Sequence, residues 1–213
     1  MLFRSDFAKA SNGREMYGGN FVGKEWLHTY GVKIYAEGHD GRGNLHPMIF
    51  DSSNVENNVL GNNVKDKFSL GSPNVDCGGF GVGMGGRAGQ SGENCRPLGN
   101  ILIPSQRPGS SETRDIKTEG AFSKTLLGGV LIFEFHKWTR VNSVELLNIM
   151  EDSEILATLN NGNSAQIGLV SVGQNGFQSI AIDLENVRKL YIKLNSFTGV
   201  VGMDLCILVD NDS

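Results

Sequence analysis

The sequence has little that is basic, nothing long and apolar, and few cysteines, and each shortage removes a class of protein. Its 19 Lys and Arg residues are scattered in ones and twos against 23 Asp and Glu, for a net charge of −4. No basic stripe is there to neutralise phosphates, so no nucleic-acid partner is expected. No run of 18 apolar residues occurs, which argues against membrane insertion by a helix, and the opening MLFRSDFAKASNGREMYGG lacks the apolar centre of an export signal. Signs of covalent catalysis are also missing. No Ser sits in a GxSxG elbow, neither Cys nor Lys has a neighbouring base in sequence, and His28, His39, His46 and His136 never fall at HxxxH or HxH spacing. An enzyme is not expected.

What the chain does have is glycine and asparagine. Of 213 residues 29 are Gly and 20 are Asn, and the Gly content is roughly twice the ordinary ~7%. Both residues tolerate positive φ and mark turns rather than helix interiors, which argues against a helical bundle. Hydrophobic content of 39% with 20% charge is too apolar for a disordered chain. The length suits one domain with long ordered loops.

Short stretches alternating apolar and polar residues predict strands at VKIYAEG from Val32, PMIFD, Lys67 to Leu70 and GNILIPSQ. They predict more at GGVLIFEFHKW, VNSVELLNIME, ILATL, QIGLVSV, FQSIAIDL, VRKLYIKLN and VGMDLCILVD. Spacing of about eight to twelve residues between turn signals is that of a β-sandwich. The Asn-Gly pairs in NNGN (160–163) and QNG (174–176) predict tight hairpins and a meander of local neighbours. The expected architecture is an antiparallel β-sandwich, jelly-roll or lectin-like, over 31–213. An arm or edge segment over 1–30 precedes it, and a Gly-rich insertion lies at 77–96.

Several residue groups have chemistry to weigh. Cys77 and Cys95 flank GGFGVGMGGRAGQSGEN. They read either as free thiols or as a bridge, and a bridge closing a loop of about 17 residues would contribute roughly 3 kcal/mol. Cys206, within LCILV, reads as a small buried hydrophobe. Gly81, Gly83 and Gly86 fit GxGxxG without the strand-helix context a dinucleotide site needs. Asp40, Asn44 and Asp51 supply oxygen ligands of the type Ca²⁺ takes, or else Asp40 and Asn44 make the side-chain bonds of Asx turns. Trp26, Tyr30, Tyr35 and Trp138 read either as a platform for stacking a sugar ring or as core and edge filling. Glu134, Glu145 and Glu151 read as solvent-face residues of strands.

Four segments carry a family resemblance: MIFDSSN (48–54), LGNILIPSQ (98–106), GGVLIFEFHKWTRVNSVELLNIME (128–151) and VRKLYIKLNSFTGVVGMDLCI (187–207). Together they resemble uncharacterised β-sandwich proteins of cyanobacteria, marine bacteria and algae, often secreted with a PEP-CTERM-type tail. That family shows FD(S/T)xNPTGGDxDL, GN(I/V)LII and GGxxxFxFxxPVxVxSVxLLDI blocks in the same order. The resemblance implies a lectin-like or structural module at a cell or extracellular surface. It makes Asn54 a ligand contact and Asp204 a retained acidic position, to stand with Asp40, Asn44 and Asp51 around Ca²⁺. The chain departs from the family at NVENNVLGNN, which replaces the acidic NPTGGDxDL stretch, and at Asn148, where an aspartate is expected. The expected function is non-catalytic glycan binding. The alternatives are a sheath, shell or layer subunit that assembles with copies of itself as a homo-oligomer, and a carbohydrate-active enzyme with paired carboxylates.

Overall fold

The computed structural model describes residues 2–5, 7–39, 41, 45–57, 65–106, 128–150, 153–194 and 197–208. Its strands are β1 (Leu2–Ser5), β2 (Val32–Glu37), β3 (Leu45–Asp51), β4 (Asn100–Gln106), β5 (Gly129–Phe135) and β6 (Thr139–Leu147). They continue with β7 (Glu154–Leu159), β8 (Ser164–Gly168), β9 (Phe177–Leu184), β10 (Val187–Leu194) and β11 (Gly199–Ile207). One short helix, α1 (Leu27–Tyr30), precedes β2 and ends at Gly31.

All described pairings between these strands are antiparallel and form two sheets. The first runs β3-β4-β11-β6-β9, with β1 also on β11, and the second runs β2-β5-β10-β7-β8. From β4 onward the chain switches sheets at each connection except β7 to β8. That order, first-eighth-third-sixth over second-seventh-fourth-fifth, is a jelly roll. The fold is an all-β antiparallel sandwich, as its turn-punctuated alternation predicts. It is not a meander of hairpins. NNGN does close a hairpin, with Leu159 N donating to Asn163 O at 2.8 Å, but QNG carries the chain from β8 in one sheet to β9 in the other. Alternation marks a strand without saying which sheet receives it.

The main core fills the space between the sheets with the inward positions of both, among them Ile34, Leu131, Phe133, Leu146, Leu190 and Leu205. The N-terminal segment contributes Phe7, Ala10, Met16, Val22 and Trp26 to it. A second cluster lies on the other side of β3 and β4, where Met48, Phe50, Ile101 and Ile103 meet Val55, Leu70 and Leu147. Both faces of these strands are therefore covered, which is why MIF and ILI are unbroken apolar runs. Lys67 to Leu70, expected as a strand, lies in a 3-10 turn over Lys65–Leu70 that turns Leu70 into this second cluster. Cys206 is half-buried rather than core, because its neighbours Leu205 and Ile207 take the inward positions of β11.

The segment after this turn covers the first sheet. Cys77 and Cys95 are joined by a disulfide, with Cα atoms 5.2 Å apart. Between them runs an alternation, Gly79-Phe80-Gly81-Val82-Gly83-Met84-Gly85. A Cβ on any of these four glycines would strike backbone of Pro73, Gly71, Gln174 or Val172 and Gly173. Close packing of the loop therefore requires glycine at each inward position. Phe80, Val82 and Met84 take the alternate positions and are 48%, 50% and 64% exposed.

Candidate functional site

At one end of the sandwich three corners of the chain meet around a cleft of about 230 Å³. The β5-β6 corner supplies Glu134, His136, Lys137 and Trp138, the β7-β8 turn supplies Asn160, and the start of β10 supplies Arg188. Backbone bonds fix the corner. His136 N donates to Gly31 O at 2.7 Å, and Leu208 N donates to Trp138 O at 3.2 Å. Lys137 Nζ donates to Thr29 O at 3.4 Å. Gly31 has φ of +69°, and a Cβ there would lie 2.8 Å from Lys137 Cγ. Glycine thus both ends α1 in the left-handed conformation and makes room for the lysine stem. The other two turns are tied by Asn160 N, which donates to Asn186 O at 2.9 Å.

Arg188 reaches the cleft through a bulge. The β10-β7 register shifts between Val187 and Lys189, so Arg188 and Lys189 both face away from the core in succession, between buried Val187 and Leu190. A bulge re-aims a side chain without ending the strand, and bulges concentrate beside functional sites.

Glu134 stands at the inner edge of the cleft, with Lys33 and Lys189 opposite it on the two neighbouring strands. Tyr35 Oη donates to Glu134 Oε2 at 2.6 Å. Lys189 Nζ lies 3.3 Å from Oε1, and His136 Nε2 lies 3.7 Å from Oε2. The Tyr35 hydrogen bond is the largest cause holding the Glu134 carboxyl below its ordinary range, and Lys189 and His136 add to it. Burial opposes them. Because the folded value is depressed, the stability this carboxylate contributes is present above the unfolded carboxylate range and is lost as pH falls through the folded value. Tyr35→Phe removes the leading cause. In that variant the Glu134 carboxyl resonance is expected to titrate at higher pH than in the wild type, followed by NMR across an acid series. An unchanged titration would show that the hydrogen bond is not what holds it down.

The sequence-predicted residues are distributed unevenly around this cleft. Trp138 lines it, and Tyr35 is joined to it through Glu134. Tyr35 also carries Lys33 Nζ 4.4 Å from its ring centroid. Trp26 is 3% exposed, packs edge-on against Phe7 at 5.7 Å and donates from Nε1 to Lys9 O at 3.1 Å. It fills the core and offers no face to a sugar. Asn54 lies in the turn after β3, in the other sheet from β5 and β10, and does not line the cleft.

Of the four expected metal ligands, the two that are described, Asp51 and Asp204, do not line the cleft. Asp40 and Asn44 lie outside the described residues. Asp51 closes β3 with Oδ1 accepting from Ser53 N at 3.0 Å, an Asx turn. Asp204 is in β11, separated from β3 by β4. Among the described residues no group of three or more His, Cys, Asp or Glu side chains is disposed to hold a metal ion, and no helix is long and apolar enough to cross a membrane.

No protein-family model and no curated protein matches the chain. What the cleft can do therefore rests on its own chemistry. Arg188, Asn160, His136 and Lys137 were not singled out as ligand contacts from sequence. The one signal for Arg188 was VRKL, where two successive polar residues interrupt an alternating strand.

Proposed function

We propose that this protein is a non-catalytic, lectin-like module that holds a saccharide in the cleft at the β5-β6 corner. The observation that carries the reading is that Trp138 shares one cleft with Glu134, Asn160 and Arg188. A pyranose needs an aromatic surface for its apolar side, together with acceptors and donors for its hydroxyls. The cleft has all three. A glycosidase needs two carboxylates flanking one bond, and Glu134 is the one carboxylate among the lining residues. The reading is accordingly of binding rather than hydrolysis. A cell-surface or extracellular address is proposed on the resemblance to secreted proteins and on the disulfide, since such bonds persist in oxidising compartments.

Glycan-array binding with and without Ca²⁺ tests this, because the ion remains a proposed cofactor. Trp138→Ala is expected to weaken the strongest array ligand roughly 30-fold by titration calorimetry, the scale of a buried aromatic anchor. An array silent in both conditions would sink the reading.

A second reading, assembly with copies of itself, is favoured by the exposed Phe80, Val82 and Met84 on a loop that glycine packing holds rigidly in place. Sedimentation as a monomer at every concentration would remove it.

A further inference from the structure

We propose that the cleft selects saccharides carrying an anionic group, a sulfate ester or a uronate, and that Arg188 is the residue that reads it. This rests on the glycan-binding reading above and adds the class of ligand.

The charge balance of the site is the first argument. The whole chain is net −4, yet Arg188 and Lys137 converge on one cleft that holds a single carboxylate. That carboxylate is already engaged, by Tyr35 Oη at 2.6 Å and by Lys189 Nζ at 3.3 Å. Lys33 stands opposite it on the far strand. A patch of cationic donors on an acidic protein is a local reversal of field that draws an anion from solution.

Geometry gives the second argument. Arg188 is exposed and makes no ion pair with a described residue, whereas Lys189 beside it is spent on Glu134. The bulge in β10 is what separates the two roles, because without the extra residue one of the pair would point into the core. A free guanidinium presents parallel N–H donors that match the oxygens of a sulfate or carboxylate bidentately. Lys137 adds a point charge on a stem held against Gly31. Trp138 and Asn160 complete the contacts to the sugar ring and its hydroxyls.

The test uses short oligosaccharides in matched pairs: sulfated and plain dextran oligomers, and galacturonate hexamer with its methyl ester. Calorimetry on the full chain is expected to favour an anionic member over its neutral partner by at least about tenfold, the scale of a hydrogen bond to a charged group. Whichever pair discriminates identifies the anion as sulfate or carboxylate. Arg188→Gln should remove that preference, so that the anionic and neutral members of the discriminating pair bind alike. Arg87→Gln, which removes a cation from the glycine-rich loop, should alter neither. Equal binding of anionic and neutral members, abolished in Trp138→Ala, would overturn the inference while leaving glycan binding intact. Equal losses in Arg188→Gln and Arg87→Gln would overturn it as diffuse attraction of an anion. Binding of none of the four would bring down the glycan reading with it. Unaltered thermal unfolding of both Gln variants confirms that any loss is local.

Discussion

Asn175→Ala is expected to cost about 3–5 kcal/mol of folding stability and to lower Tm by about 10 °C, because one buried amide joins three separate parts of the chain. Its Nδ2 donates to Ser69 O at 2.9 Å and to Gly71 O at 2.8 Å. Its Oδ1 accepts from Asn74 Nδ2 at 2.7 Å and from Asn94 Nδ2 at 3.2 Å. Its backbone N donates to Asn148 Oδ1 at 2.7 Å, and Asn148 Nδ2 in turn donates to Phe197 O. Every hydrogen-bonding capacity of the side chain is filled, and the residue is 0% exposed.

Truncation empties four bonds at once and leaves their partners short of water. Two variants separate the causes. The φ of Asn175 is +63°, so alanine also carries a left-handed backbone cost of about 1 kcal/mol that glycine does not. Asn175→Gly should therefore lose most of the stability that Asn175→Ala loses. Asn175→Asp keeps the shape but aims a carboxylate at the carbonyls of Ser69 and Gly71, and should be at least as damaging as alanine. Denaturant unfolding measures all three. A loss under about 1 kcal/mol for alanine would mean that the loop is held by something else, with the disulfide as the first candidate.

The strands were legible in the sequence, while their arrangement and the cover on the first sheet were not. VKIYAE, EILATL and VRKLYIKL alternate because one side of each strand meets the core, and that pattern is local. Which sheet a strand enters is decided by packing between residues far apart in the chain, so QNG looks like a hairpin and is a crossover. MIF and ILI announce burial on both faces, but the partner on the outer face is a loop whose Gly and Asn read as turns rather than as cover for a sheet. Asn175 looks like one more turn residue in QNG. Its role depends on Ser69, Asn74 and Asn94, roughly 80 to 105 positions away by the separations of those bonds.

The cleft was partly legible for the same reason. Trp138 and Tyr35 stand out as aromatics, but Glu134 looks like any solvent-face carboxylate until Tyr35 Oη, 99 positions distant, is placed on it. Trp26 stands out equally and is core. Composition cannot separate an aromatic wall from an aromatic filler, because both need the same ring.

Glycine poses that problem most sharply, and Gly81→Ala against Gly89→Ala resolves it. The two lie eight positions apart in the same loop and are indistinguishable by composition. A Cβ on Gly81 would fall on the carbonyl of Gly71 and 2.6 Å from Asn175 Oδ1, both held in the buried network. Neither atom is the free end of a flexible side chain, so the loop must shift as a whole. A Cβ on Gly89 meets nothing within 4 Å, and its only strain is a φ of +76°. Gly81→Ala is expected to lose about 2–4 kcal/mol, as overpacking that also disturbs the Asn175 amide. Gly89→Ala should lose about 1 kcal/mol, the left-handed backbone cost alone. Chemical denaturation of both variants with the disulfide intact measures the difference. Equal losses would mean that close packing does not require glycine at position 81. The alternation of Phe80, Val82 and Met84 with inward glycines would then lose its physical basis. A large gap makes the glycine positions the feature that locks the loop onto the first sheet, and it makes the exposed apolar strip a surface held in place by the fold.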